Sequence, residues 1–355
     1  MTGPSMSRSA RLALSVLLIL AGAVLVASLA MHQAQRHALE DDAARAEDRL
    51  SLYANTLQTL IERYRALPAV LALDTQMRAA LSGPVSPETT QVLNEKLEQI
   101  NGAAQSSTLE LLDREGLAVG ASNWRLPSSY VGHNYGFRPY FTQTRANGVG
   151  RFYAVGVTSG IPGYFLSSAV RDDAGQFIGA MVVKLEFPDL EHTWAQGDDL
   201  LLVSDAKGIV FIANHPGWRY RALRPLSEQD RAELASTRQY DKQPLTSLTH
   251  TSLRTFGEHS RLSRVAAPGE EADYLWQSLP LQPEGWTLHL LRKPQPADED
   301  IRNAALAAAG TWLTLVFLGL FLYQRWRLAR MRQRSREELE QLVAARTRDL
   351  QTAQD

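Results

Sequence analysis

Two cationic side chains lie inside an otherwise apolar and aromatic stretch of the sequence, between Gly132 and Glu186. Arg138 follows Tyr135 in a segment rich in aromatic residues, and Lys184 lies midway along an apolar run. A small anion loses water when it enters a pocket, and charge-assisted hydrogen bonds can replace that water. Arginine can bond both oxygens of a carboxylate through its planar fork, and lysine acts as a compact point charge. The pair therefore predicts a site for a small anion.

Hydroxyl groups lie between these two cations in the sequence and could supply neutral hydrogen bonds to the same anion. The candidates are Tyr135, Thr158 and Ser159. Three further hydroxyl groups could also reach the pocket, but a structural role is equally consistent with each of them. These are the hydroxyls of Tyr140, Tyr153 and Ser167.

Each cation also has a structural alternative. Lys184 alternates with Met181, Val183 and Leu185, so its side chain should face the opposite side of a strand. A solvated lysine on an edge strand is the alternative, but a lysine within a run this apolar favours the ligand role. For Arg138 the residues alone leave a structural pair with a nearby acid as an equal alternative.

Composition and spacing exclude several other kinds of chemistry. The eight histidines are scattered, and His133 alone is weak support for a ligand, so we expect no metal site. No nucleophile–base set or carboxylate pair indicates a catalytic residue. Charge is balanced, with 37 Lys and Arg against 38 Asp and Glu, which does not suggest nucleic acid as a partner. The absence of cysteine excludes disulfides and cysteine-ligated metals.

Two uncharged apolar segments decide the class of protein. Leu12–Ala30 is long enough to cross a bilayer and follows two arginines, and a second segment covers Ala304–Tyr323. A cleaved signal peptide is the alternative for the first, but its length favours an uncleaved anchor. Six arginines follow the second segment, so the positive-inside rule predicts both chain ends in the cytoplasm. Residues 32–303 should then lie outside, in a periplasm if the source is Gram-negative.

The region after the first span reads as a long helix with few breakers before Pro68. Its apolar and small residues follow a heptad spacing, which is typical of a coiled coil. These residues are Leu39, Ala43, Ala46, Leu50, Tyr53, Leu57, Leu60, Tyr64 and Leu67. Two interpretations are about equally good: a dimer stalk that transmits motion to the membrane, or a helix whose apolar face packs on its own domain.

From Thr108 onward the pattern changes to strands joined by turns, with short helices between them. A strand–Asp-x-x-Gly–strand unit at Asp113–Gly116 is repeated at Asp205–Gly208, which favours two related α+β domains in tandem. The second domain shows no second cationic pair, so we expect it to bind nothing and to couple the first domain to the membrane. The four–three–four spacing of Leu339, Val343, Arg346 and Leu350 predicts the start of a coiled coil with a polar residue in its seam. No catalytic domain is recognised.

The sequence predicts seven regions in chain order. These are a cytoplasmic N-terminus (1–11), a transmembrane helix (12–31), a stalk helix region (32–100), a membrane-distal ligand-binding domain (101–196), a membrane-proximal domain (197–303), a second transmembrane helix (304–323) and a cytoplasmic coiled-coil linker (324–355).

Three motifs in the same stretch resemble the sensory half of the four-carbon-dicarboxylate sensor histidine kinases of the DctB type. The motifs are N-Y-x-F-R-P-Y-F at Asn134–Phe141, A-V-G-x-T-x-G-x-P-G-Y-F at Ala154–Phe165 and V-V-K-L-E-F at Val182–Phe187. The resemblance covers the whole chain. It implies an α+β fold in which a long N-terminal helix precedes two tandem PAS-like (double Cache) domains, flanked by transmembrane helices and a coiled-coil start.

The resemblance also implies a function and a set of site residues. Arg138 and Lys184 would hold the carboxylates of succinate, malate or fumarate, and Tyr135, Thr158, Ser159 and the backbone at Gly160 would supply neutral donors. The protein would be a homodimeric inner-membrane sensor that acts on a cytoplasmic response regulator. The kinase domain of that family is missing from these residues, so no cofactor is expected here, and ATP and magnesium only if a kinase domain follows.

Two alternatives stay open beside this reading. The same double Cache receptor could have another output, such as a chemotaxis transducer or a nucleotide cyclase. The chain could also be a membrane-anchored interaction protein without a kinase, whose pocket is empty.

Overall fold

The computed structural model describes residues 7–256, 259–267, 270–294 and 298–352. The chain divides into two compact units, one formed by Met1–Asp42 with Gln295–Asp355 and the other by Ala43–Pro294. The boundary at Asp42 falls inside a continuous helix, so it separates two units of contact and not two elements of secondary structure.

The first unit consists of parts of two long helices. The helices and strands of the whole chain are numbered in chain order. Within the described residues the α-helices are α1 (Arg8–Arg65), α2 (Leu67–Leu71), α3 (Thr75–Leu81), α4 (Pro87–Ala104), α5 (Pro139–Asn147), α6 (Pro188–Trp194), α7 (Glu228–Thr237) and α8 (Asp298–Thr352). Both α1 and α8 contain an 18-residue window apolar enough to cross a membrane. The predicted spans at 12–31 and 304–323 lie within these helices. Inside this unit, Trp312 donates a hydrogen bond from Nε1 to the carbonyl oxygen of Ile19 at 3.1 Å.

The second unit contains two antiparallel sheets that share one strand order. The strands are β1 (Thr108–Asp113), β2 (Ala118–Ala121), β3 (Val149–Val155), β4 (Pro162–Arg171), β5 (Phe177–Leu185), β6 (Leu200–Ser204), β7 (Val210–Ala213), β8 (Arg221–Ala222), β9 (Thr246–Ser247), β10 (His250–Phe256), β11 (Ser260–Ala267), β12 (Glu270–Leu281) and β13 (Trp286–Arg292). The first sheet runs β2-β1-β5-β4-β3. The second runs β7-β6-β13-β12-β11-β10 and so repeats that order with one additional edge strand. A short parallel pair, β8 and β9, lies outside both sheets.

The predicted Asp-x-x-Gly repeat is confirmed as a pair of equivalent hairpins, β1–β2 and β6–β7. The Asp113 carboxylate accepts hydrogen bonds from the backbone N–H groups of Glu115 and Leu117, at 3.0 and 2.8 Å. Asp205 accepts the corresponding bonds from Lys207 and Ile209, both at 2.9 Å. The fourth residue of each turn has a positive φ, +87° and +78°, which glycine adopts without strain. The fold is therefore α+β with two tandem PAS-like domains.

The part of α1 that belongs to the second unit packs on its own domains. Its residues at three- and four-residue spacing are buried in a core shared with both sheets; they include Ala46, Leu50, Leu57, Ile61 and Tyr64. Burial of an apolar helix stripe is the main source of stability for such a helix. The interpretation in which this face packs on its own domain is confirmed for this part, and dimerisation stays a prediction.

Among the described strands, sequence patterns missed β10 and β11. The first of them, with the sequence His250–Phe256, has no buried residue and no alternation of apolar and polar side chains. Period-two alternation is the signal for a half-buried strand, so a polar edge strand gives none. In α8 the helix continues to Thr352, while the side chains at 346 and 350 of the predicted coiled coil lie outside the described residues.

Candidate functional site

The two faces of the first sheet pack against different clusters of residues, and the candidate residues are distributed over both faces. Met181, Val183 and Leu185 of β5 belong to the core that includes buried residues of α1 and α4. Val182 belongs to a separate cluster with Tyr135 and aromatic residues on the other face. Because side chains alternate along a strand, Lys184 lies on the same face as Val182, as predicted.

Arg138 is the residue before the first turn of α5, and its side chain is only 1% exposed. Pro139 occupies the first position of that helix, where its missing N–H group removes no helical hydrogen bond. Arg138 donates to the carbonyl oxygen of Val155 at 2.7 Å and to those of Thr237 and Arg238 at 3.0 Å each. The last two carbonyls end α7, where the helix dipole concentrates negative charge. The buried guanidinium is thus held by carbonyl oxygens and not by an acid, and it joins the first domain to the second.

Lys184 is 2% exposed and donates from Nζ to Oε1 of Glu186 at 2.6 Å. Its side chain lies across Gly163, where an added Cβ would come within 2.5 Å of the lysine Cε. The ammonium also lies 5.9 Å from the centre of the Phe165 ring, close enough for a cation–π attraction. The pair is therefore buried at the lysine end, while Glu186 reaches the solvent with 24% of its side chain exposed.

Two of the hydroxyl residues predicted for the site, Tyr135 and Thr158, pair with each other, and the third, Ser159, pairs with Tyr130, which the sequence analysis did not single out. The Tyr135 hydroxyl lies 2.7 Å from Oγ1 of Thr158, and the Tyr130 hydroxyl lies 3.2 Å from Oγ of Ser159. Gly160 has φ of +71° and donates its N–H to the carbonyl of Gly156 at 2.7 Å, which closes the loop that carries Thr158. Gly160 thus shapes the loop through its backbone.

Glu110, on the neighbouring strand β1, was not singled out by the sequence analysis. It is 2% exposed, and its Oε1 accepts a hydrogen bond from the Tyr140 hydroxyl at 3.2 Å. Its Oε2 has no hydrogen-bond partner among the described residues. Burial raises the pKa of this carboxyl group from 4.5 to about 7, against the lowering effect of Tyr140, Lys184 and Arg138. A single acid within the apolar run Leu109–Leu112 is the same signal that identified Lys184 and could have identified Glu110.

A small cavity lies on the helix α5 side of the sheet; of the predicted site residues, Tyr135, Arg138 and Thr158 line it, while Ser159, Gly160 and Lys184 do not. It is lined by Glu110, Tyr130, Tyr135, Arg138, Tyr140, Gly156, Val157, Thr158 and Phe165. Its volume of about 10 Å³ is room for about one water molecule. A ligand larger than water can enter only if some of these side chains move.

Two of the additional candidates lie away from this cavity. The Tyr153 side chain is on the opposite face of the sheet, where its hydroxyl donates to the carbonyl of Phe211 at 3.2 Å and its ring packs on that phenylalanine. The Ser167 hydroxyl bonds the carbonyls of Tyr140 and Gly150, at 2.9 and 3.1 Å. Of the three additional hydroxyls, Tyr140 alone lines the cavity.

A larger cleft of about 420 Å³ opens elsewhere on the first domain, beside Arg65, Gln143 and Arg151. Size alone would favour it as a ligand site. Arg65, however, already pairs with Glu62 and Glu284, at 2.7 and 2.5 Å. The buried polar residues that line the cleft are the serines Ser167 and Ser168, and among the described residues no buried charged side chain lines it. The small cavity, with its buried charges, is the better candidate.

In the second sheet, the face that corresponds to the cavity side of the first sheet is covered by a cluster of mainly apolar residues. Trp276, Trp218 and Leu202 belong to the cluster there. His289 on that sheet is buried between hydroxyl groups of Ser204 and Ser278, and burial lowers its pKa to about 3, so it is neutral. Across the described ranges, no group of three or more potential metal ligands occurs.

Comparisons with known proteins place these features in context. No family model matches the chain. The chain is 33% identical over 347 residues to the C4-dicarboxylate transport sensor protein DctB of Rhizobium meliloti, covering 96% of this chain and 55% of that protein. It is 31% identical to the protein of the same name from Pseudomonas aeruginosa, over 90% of this chain and 50% of that one. The chain thus spans about half the length of the curated relatives it matches.

Among solved structures, the sensor domain of the V. cholerae histidine kinase DctB superposes with a TM-score of 0.65 and 26% sequence identity. The match covers 74% of this chain and 99% of that domain. A second structure, the periplasmic domain of RsbU from Chlamydia trachomatis, has a TM-score of 0.55 at 14% identity and supports the fold alone.

Proposed function

Because the chain belongs to the DctB-type family of sensor proteins, whose sensory part it matches, we propose that it binds a four-carbon dicarboxylate. The ligand lies in the cavity of the first domain, with one carboxylate on Arg138 and the other on Lys184. Tyr135, Thr158 and Ser159 with the backbone at Gly160 supply the neutral hydrogen bonds.

The observation that carries the proposal is the burial of the two cations, Arg138 and Lys184, together with their hydrogen-bond partners. Both are almost completely buried, and each is bound to oxygen atoms: carbonyl oxygens at Arg138 and a carboxylate oxygen at Lys184. Most of the cost of removing these charges from water has therefore already been met by the fold. A dicarboxylate that enters replaces these oxygens with its own, so each cation exchanges one set of partners for another.

This exchange gives the binding event a route to the second domain. The carbonyls of Thr237 and Arg238 at the end of α7 lose the guanidinium when Arg138 turns to the ligand. At Lys184, the displaced Glu186 is already partly exposed and can be solvated. Ligand binding thus weakens a contact between the two domains and favours a different arrangement of them, as a population shift requires.

The remaining parts of the proposal concern the whole protein. The chain lies in the inner membrane of a bacterium with 32–303 in the periplasm, and it acts as a homodimer. A histidine kinase domain that follows these residues would bind ATP and magnesium and act on a cytoplasmic response regulator that controls dicarboxylate uptake. A chemotaxis or cyclase output, or an interaction protein without a kinase, would be distinguished from a histidine kinase by whether an output domain follows Asp355 and of which kind it is.

Substitution of Lys184 by methionine tests the ligand assignment. Methionine keeps the length of the side chain without its charge, so one charge-assisted hydrogen bond to the ligand is lost. The loss should weaken succinate binding about 10- to 150-fold. The assay is thermal unfolding of the full chain in detergent micelles at increasing succinate concentration, where ligand binding to the folded state raises the midpoint.

A matched control is Lys207→Met in the second domain, where the lysine pairs with Glu233 at 2.8 Å. This variant should keep the stabilisation by succinate. Undiminished stabilisation in Lys184→Met would contradict the assignment of Lys184, and no stabilisation of the unsubstituted chain by any dicarboxylate would contradict the function.

A further inference from the structure

We propose that Glu110 contacts the ligand as a neutral carboxylic acid and that it takes up one proton from solvent when the dicarboxylate binds. Its Oε2 then carries the proton and donates a hydrogen bond to a ligand carboxylate oxygen. The inference rests on the proposed function and adds to it a residue whose protonation sets the net charge of the protein–ligand complex.

The geometry of Glu110 supports this role. It lines the cavity together with Arg138, and its Oε2 has no partner among the described residues while its Oε1 accepts from Tyr140. A buried polar atom without a hydrogen bond is costly, so an atom of this kind facing a cavity indicates a missing partner. A ligand carboxylate is an acceptor, and an acid can bond it only in the protonated form.

The charges around Glu110 determine the direction of proton transfer. The groups that face it are Arg138 from the loop before α5, Lys184 from β5, and the hydroxyls of Tyr135 and Tyr140. Neither tyrosine ionises, because burial raises the pKa of both hydroxyls above the ordinary value. A dianion placed among these groups takes the two cations as its own partners and adds like charge beside Glu110, which favours its neutral form.

The ionisation of Glu110 before binding makes the proton uptake measurable. Burial already raises the pKa of Glu110 to about 7, so the carboxyl is mostly ionised near pH 8. Binding then requires a proton, and succinate affinity should fall about tenfold from about pH 6 to about pH 8. At still lower pH Glu110 is protonated before the ligand arrives, and its contribution to the pH dependence ends.

Calorimetric titration of the full chain in detergent with succinate and with fumarate tests the inference. Titrations at about pH 8 in two buffers of different ionisation enthalpy should give close to one proton taken up per ligand. In Glu110→Gln, which keeps the size and an amide donor, the uptake should vanish and the affinity should be independent of pH. Glu115→Gln removes an exposed acid from the turn of the same β1–β2 hairpin and should keep the uptake and the tenfold change.

The outcomes separate this inference from the function it rests on. Dicarboxylate binding without proton uptake in the unsubstituted chain would overturn the role of Glu110 and leave the function standing. This measurement uses only the unsubstituted chain, so it does not depend on whether a variant folds. Tight binding of aspartate that Glu110→Gln abolishes would also overturn it, since an ionised Glu110 would then be the partner of the ammonium. Absence of binding by any dicarboxylate would overturn both.

Discussion

Gly163 gives a way to move Lys184 without changing it. An alanine Cβ at this position of β4 would lie 2.5 Å from Lys184 Cε, 2.9 Å from Lys184 Cγ and 2.9 Å from the carbonyl oxygen of Leu185. Contacts this short are not tolerated, and because one of them is to backbone, the strand or the lysine must shift. Overpacking of this kind destabilises by about 1–3 kcal/mol.

The same substitution should weaken ligand binding, because the lysine has little space to move into while it remains 2% exposed. Displacement of Nζ by about 1 Å disrupts a charge-assisted hydrogen bond, which corresponds to about 10- to 150-fold in affinity. We expect Gly163→Ala to lower the unfolding midpoint by about 2–12 °C and to weaken succinate binding by that factor.

The control is Gly102→Ala in α4, where nothing lies within 4 Å of the added Cβ. Alanine replaces glycine inside a helix there and should stabilise by about 0.5–1 kcal/mol, with succinate affinity unchanged. Thermal unfolding and calorimetric titration of both variants provide the comparison. Gly163→Ala with unchanged stability and affinity would refute the close packing of Lys184 on β4 as the support of the site.

Two further predictions concern the stability of the buried charges. Arg138→Lys replaces a fork that makes three hydrogen bonds by one ammonium, and it should lower the free energy of unfolding by at least about 3 kcal/mol in urea titrations; a change below about 0.5 kcal/mol would contradict the bridging role. For Glu110 the folded pKa of about 7 exceeds the ordinary 4.5, so the folded state keeps a proton that the unfolded state releases. Stability should therefore fall by about 3 kcal/mol as pH rises through this window, and Glu110→Gln should lack that fall; equal slopes in urea unfolding would contradict it.

Much of the fold could be predicted from the sequence, because the patterns that indicate its helices, strands and turns lie within short segments of the chain. Alternation along β5 places Lys184 on one face, and three- and four-residue spacing along α1 predicts the buried stripe through Leu50 and Leu57. The Asp-x-x-Gly turns predict two related domains because a single carboxylate organises each turn. The edge strand β10 was missed because it buries nothing.

The candidate site was less predictable, because its contacts join residues far apart in the chain. Arg138 binds Thr237 and Arg238, about a hundred positions later, and no local pattern indicates that an α7 carbonyl will be its partner. Tyr153 was offered as a possible ligand because of its hydroxyl, but the strand alternation that served for Lys184 was not applied to it. That alternation would have placed Tyr153 on the core face with Val155.

The domain contact made by Arg138 connects the site with transmission. A guanidinium that bonds either α7 carbonyls or a ligand carboxylate has two alternative sets of partners, and the ligand selects between them. Such a competition provides the differential interaction that a ligand-driven conformational change requires.

The most direct test of the account is a crystal structure of the chain determined with succinate. The account predicts one ligand carboxylate on the Arg138 guanidinium and the other on Nζ of Lys184, with Glu186 turned to solvent and the bonds to Thr237 and Arg238 released. Succinate bound elsewhere, or bound in the cavity while Arg138 keeps its bonds to those carbonyls, would contradict the central claim.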